Sequence, residues 1–175
     1  MFKLKNYVFK QDKNFVNLFG IRMNDEFTDK FDDYLGIIVN NQVYLFEGTT
    51  DSGFYYVKNK LNPKGTAVLK EGQWIDSWEL GFHKGYETLV QCKPVEVYRD
   101  INTDFKIDRN VVDKGIFGIN IHKSGDIETI GKYSAGCQVF KNIKDFEFVI
   151  NLCKIHKIVY GNKFSYTLFN YKDII

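Results

Sequence analysis

Gly115-Ile116-Phe117-Gly118-Ile119-Asn120-Ile121-His122 is the stretch on which the fold turns. Its apolar side chains run almost without a break and stop at an imidazole. That is the pattern of a strand covered on both faces which delivers a polar residue at its end. A loop from Lys123 to about Gly131 follows. Fifteen residues after the histidine a thiol arrives in Ser134-Ala135-Gly136-Cys137-Gln138.

Working outward, the same β character recurs. Tyr34 to Val39, the turn pair Asn40-Asn41 and Gln42 to Phe46 read as a hairpin. Gly48-Thr49-Thr50-Asp51-Ser52-Gly53 has turn chemistry and leads into the aromatic run Phe54-Tyr55-Tyr56-Val57. Short strands are expected at Thr66 to Leu69, Thr88 to Gln91, Val95 to Tyr98 and, after the turn Tyr160-Gly161-Asn162, at Lys163 to Phe169. Helical spacing marks Asp12 to Phe19 and, more strongly, Asp145 to Lys157, where Phe146, Val149, Ile150 and Cys153 share a face. Only two alanines, Ala67 and Ala135, stand against 16 Phe and 11 Tyr, which favours strands over long helices. No linker, repeat or low-complexity tract divides the 175 residues, so they are read as one mainly β domain with a few short helices.

Charge and cysteine content narrow the classes of function. A net charge of +2, from 24 basic and 22 acidic side chains, gives none of the strong field that nucleic-acid binding needs. No apolar run approaches a membrane span, and Met1-Phe2-Lys3-Leu4-Lys5 lacks the apolar region of a signal peptide, so a soluble monomer without export signal is the expectation. Cys92, Cys137 and Cys153 are odd in number and widely spaced, which suggests neither a disulfide framework nor a metal clip. Cys153 reads as core, and Cys92 as a small packed residue.

The chemistry concentrates at His122 and Cys137. A thiol becomes a nucleophile when a base or cation sits beside it, and an imidazole supplies either. Gly136 lets a substrate carbonyl approach the main chain, where the N–H groups of Gly136 and Cys137 are natural oxyanion donors. Taken singly, a buried cysteine and a strand-end histidine are usually structural; together in one polar turn they favour catalysis.

With these residues in place, the chain resembles the L,D-transpeptidase (YkuD-like) catalytic domain over roughly residues 34 to 140. Ile121-His122 matches that family's strand-end histidine, and Ser134-Ala135-Gly136-Cys137 matches its Ser-His-Gly-Cys. Histidine precedes cysteine, the reverse of the papain-like and NlpC/P60-like order. The hairpin from Leu35 to Phe46 with its following turn, and Gly65-Thr66-Ala67, are similar to upstream family segments. The sequence departs from the family at Ala135, where the family has a second histidine, and at Val139, where an arginine is common. The resemblance implies a mixed β-sandwich and attack on peptidoglycan stem peptides through a thioester, resolved by an amine or by water. Cys137 would be the nucleophile, His122 the general base and then acid, Ser134 a polar support, and a backbone carbonyl or Ser124 the group fixing the imidazole. Arg22, His83, Lys84 and Arg99 are candidates to replace the missing arginine, and Gln138 is counted with the substrate-binding residues. A chain without a leader suggests delivery by a bacteriophage or export by another route.

Two other readings stand beside this one. Asp100, Asn102, Asp104 and Asp108 occupy positions 1, 3, 5 and 9 of a calcium-type loop, with Val111 where a bidentate Glu belongs at position 12. No cofactor is otherwise implied, and the bland reading of this loop is a solvated turn. His83 and Lys84 in Gly81-Phe82-His83-Lys84-Gly85-Tyr86 read as a surface turn, and His156 as part of the polar side of its helix. The rival class is an inactive cell-wall-binding or phage structural module of the same fold, with Trp74 and Trp78 offered for stacking.

Overall fold

The computed structural model describes residues 5–174. Met1 to Leu4, on which part of the signal-peptide reading falls, and Ile175 lie outside the described residues. The fold is mainly β. Eight strands close in the order β1-β11-β5-β6-β9-β10-β3-β2, and β4-β7-β8 form a separate three-stranded sheet. The bounds are β1 Asn17–Arg22, β2 Asp33–Val39, β3 Gln42–Thr49, β4 Thr66–Leu69, β5 Gly72–His83, β6 Tyr86–Gln91, β7 Val95–Asp100, β8 Val112–Gly115, β9 Ile121–Lys123, β10 Gln138–Phe140 and β11 Phe164–Asn170. Two helices join them, α1 Phe54–Lys58 and α2 Ile143–Tyr160.

The β2–β3 hairpin forms where the sequence places it, with Asn40 and Asn41 at φ 50° and 62°, the twist that a two-residue hairpin turn requires. Lys84 and Gly85 make the same kind of turn between β5 and β6. Helix α2 starts at Asn142, whose side chain accepts from the amides of Lys144 and Asp145. Its expected face is buried against the barrel, with Phe146 edge-on to Phe140.

Several expectations are corrected. The segment Asp12 to Phe19, expected as a helix, runs instead into β1, which lies between β2 and β11 and is buried at all six positions. With both faces covered, its apolar residues lose the alternation that marks a strand. The run Ile116 to Asn120 is no strand: the chain leaves β8 in the small sheet and enters the barrel only at Ile121. Gln91 replaces the missing ladder, its Oε1 accepting from the amides of Phe117 and Ile119 at 3.0 Å each, while Trp78 Nε1 donates to Ile119 O at 2.7 Å. Trp78 is fully buried, so its indole packs in the core and presents no face for stacking a ligand. His156 is buried rather than on a polar face, and its Nδ1 accepts from Val16 N at 3.0 Å.

No helix among the described residues is long and apolar enough to cross a membrane.

Candidate active site

β9 and β10 lie side by side and parallel, with His122 opposite Val139 and Ile121 opposite Gln138. Because strand side chains alternate between faces, His122 and Val139 share one face while Ile121, Gln138 and Phe140 take the other. Cys137, two residues before Val139, packs with it and with Phe31 and Ile130. His122 and Cys137 thus come from adjoining segments of a parallel strand pair, and Lys84 acts electrostatically on both, while the cavity that Cys137 lines does not include His122.

The imidazole is fixed by the backbone. His122 is buried, with Nδ1 2.9 Å from Lys123 O, so Nδ1 carries the proton and Nε2 is left as a base. Ser124 is engaged elsewhere, its hydroxyl donating to Lys141 O at 2.6 Å. Burial holds the His122 pKa down, at about 4, and the nearby His83 and Lys84 push the same way. The rings of His83 and His122 are 5.9 Å apart, so the β5–β6 turn reaches the site. Burial pushes the Cys137 thiol up, against the Asn120 N–H and the Lys84 charge, which favour the thiolate. The thiol also donates to Gly118 O at 3.4 Å. Among the described residues no hydrogen bond joins imidazole to thiol, and at neutral pH both are uncharged.

The turn before the thiol is tightly held. Ser134 Oγ is within 2.6 Å of Asp51 O and 2.9 Å of Cys137 O, and accepts from Gly136 N at 3.1 Å. The Gly136 amide, expected as an oxyanion donor, is therefore already committed to Ser134. Gly136 has φ +118°, and a Cβ there would lie 2.3 Å from Ala67 O, so the glycine allows this turn to pack against β4. Behind it lies Asp51, whose carboxyl is driven well above the usual range by burial and by the nearby Asp33.

The remaining candidates separate. Arg99 joins the site: it lines a cavity of about 410 Å³ together with Cys137, Ala67, Phe117, Gly118 and Tyr56. Its guanidinium stacks on Phe117 at 4.6 Å and pairs with Asp113 at 3.2 Å. Arg22 does not join. It is fully buried and spends its nitrogens on Glu71, Thr50 and Leu69 O. Gln138 also turns away, its Oε1 accepting from Tyr166 OH at 2.9 Å among the buried side chains. Among the described residues no group of three or more His, Cys, Asp or Glu side chains is gathered to hold a metal ion. Sequence reading missed Asn120 and Gly118, whose backbone groups meet the sulfur, and Gln91, which shapes the segment carrying them. Main-chain roles leave no trace in residue type, whereas a buried glutamine beside a broken apolar run is a usable signal.

Compared with protein-family models, with curated proteins and with solved structures, the chain matches none.

Proposed function

We propose that the chain is a cysteine acyl-transferase or hydrolase of L,D-transpeptidase type that acts on peptidoglycan stem peptides, and that its two sheets correspond to the β-sandwich of that family. The observation that carries this reading is Cys137 at the wall of a cavity, with a backbone amide at its sulfur and a neutral imidazole on the adjoining strand.

The reaction begins from the uncharged pair. Cys137 Sγ bonds to the substrate carbonyl carbon as His122 Nε2 takes the thiol proton, and the Cys137 N–H supports the oxyanion. The C–N bond then breaks, the amine leaves with the proton from His122, and an acyl thioester remains. An acceptor amine or water attacks it, His122 removes the proton of that nucleophile, and the C–S bond breaks with return of the proton to sulfur. Delivery to the wall by a phage particle or by a separate export route belongs to the same proposal.

The test is incubation of the full chain with defined muropeptides across a range of pH, with mass spectrometry of Cys137 and of the products. An acyl adduct on Cys137, lost in Cys137→Ala and formed about 10²–10⁴-fold more slowly in His122→Ala, is expected. Unchanged muropeptides with no adduct at any pH would overturn the proposal. One observation favours the rival, an inert wall-binding module: thiol and imidazole rest without a hydrogen bond between them. That rival predicts muropeptide binding which Cys137→Ala leaves intact, and no adduct.

A further inference from the structure

Asp100 ends β7 wholly buried, and neither of its carboxylate oxygens has a hydrogen-bond partner among the described residues. No other buried side-chain polar atom described is left so. Buried carboxylates are ordinarily paired, because stripping the charge of water without replacement is costly. The neighbours deepen the problem: the carboxylates of Asp104 and Asp108 lie close enough to act on Asp100 with like charge. The Asp108 N–H and the Lys60 ammonium offer partial relief, but the first falls short of a full hydrogen bond and the second donates to Ile101 O.

The chain after Asp100 is a succession of Asx turns. Asn102 Oδ1 accepts from Asp104 N, Asp104 Oδ1 from Lys106 N, and Asp108 Oδ1 from Asn110 N, at 2.9–3.0 Å. Each aspartate thereby keeps its second oxygen uncommitted. Phe105, sixth from Asp100, has φ 61°, a left-handed conformation uncommon for a bulky residue, at the position where a calcium-type loop makes its sharp turn. Phe27 N bonds Phe105 O and Ile107 N bonds Asp25 O, so the bridge opposite Glu26 uses the groups flanking Lys106. The Lys106 carbonyl, at the seventh position, is left to face the other way, as a calcium loop uses it.

We propose that the loop from Asp100 to Asp108 binds calcium through the side chains of Asp100, Asn102, Asp104 and Asp108 and the Lys106 carbonyl. The side chains are not yet gathered into a cage, so binding and loop closure are one event. Oxygen donors of this number and irregular arrangement suit calcium better than magnesium, which demands a near-ideal octahedron. With Val111 in place of a bidentate acid, affinity falls in the weak class, Kd about 10⁻⁴–10⁻³ M. The site bears on the cavity, since Asp100 pairs with Thr66 and Arg99 with Ala67, and Thr66, Ala67 and Arg99 line it. The proposal holds whether or not Cys137 is a nucleophile.

The experiment is thermal unfolding of the chelator-treated full chain against calcium chloride and, separately, magnesium chloride, with calcium titration calorimetry alongside. At ten times Kd calcium raises the midpoint by about 3–6 °C, and magnesium at the same concentration by much less. Asp100→Asn, which removes the unpartnered charge, raises the calcium-free midpoint and abolishes the calcium response. Asp104→Asn, at an exposed position, weakens calcium binding at least tenfold while leaving the calcium-free midpoint near that of the wild type. No calcium-dependent shift or heat in the wild type up to 10-fold above that affinity range would overturn the proposal. So would a response that survives in both variants, or one that magnesium reproduces.

Discussion

His122 is an imidazole that burial keeps neutral. Its pKa of about 4 lies below the ordinary 6.5 because burial penalises the imidazolium. A histidine whose pKa is depressed in the folded state contributes stability that is present above 6.5 and is lost as pH falls through the window to about 4. Across that window the loss reaches about 3 kcal/mol. Urea denaturation at pH 7 and pH 4.5 reads it: the drop in stability should be smaller in His122→Gln than in the wild type. An equal drop in both would mean that the imidazole is freely solvated. The histidine and the thiol stand out in the sequence by type and spacing alone, and the fold places them on adjoining strand segments. The placement of Arg22 and Gln138 was not legible, since each is polar by type and buried by position. Nothing local reveals that a guanidinium is consumed by Glu71 and two backbone carbonyls.

At the scale of elements, the hairpin β2–β3 and the helix α2 were legible because each carries its own local instructions. A turn pair at Asn40-Asn41, a cap at Asn142 and a stripe of Phe146, Val149, Ile150 and Cys153 specify them without help. β1 and the segment before β9 were not, because tertiary cover decides them. The long β5 was also missed, where Asp76, Ser77 and Glu79 interrupt the apolar residues. The segment from Ile116 to Asn120 depends on Gln91, which sits on another strand. Gln91→Ala leaves two amides without their acceptor and should cost about 2–3 kcal/mol of stability. It should also move Gly118 O and Asn120 N–H relative to the sulfur, changing the rate at which Cys137 is alkylated. Gln91→Glu, which keeps an acceptor at this position, should restore the alkylation rate more than the stability. Unchanged alkylation in Gln91→Ala, with stability lost, would separate this segment from the thiol's environment.

For the molecule as a whole, the barrel is unevenly sewn. β2 and β3 share seven registered pairs, whereas β6 meets β9 at the single pair Leu89–Ile121. The weak seam adjoins His122. Amide exchange at Leu89 and Ile121 should therefore precede exchange in β2 and β3, with a rate difference of at least about tenfold, because fewer bonds must break to open it. Equal protection across both would show that the barrel opens only as one unit.

The parallel pairing of β1 with β11 has a consequence in time rather than in space. The strand that the chain makes first among the barrel's eight finds one of its two neighbours only when residues 164–170 exist. A nascent chain therefore cannot close the barrel while it is being made, and it stays extendable until its last strand is free.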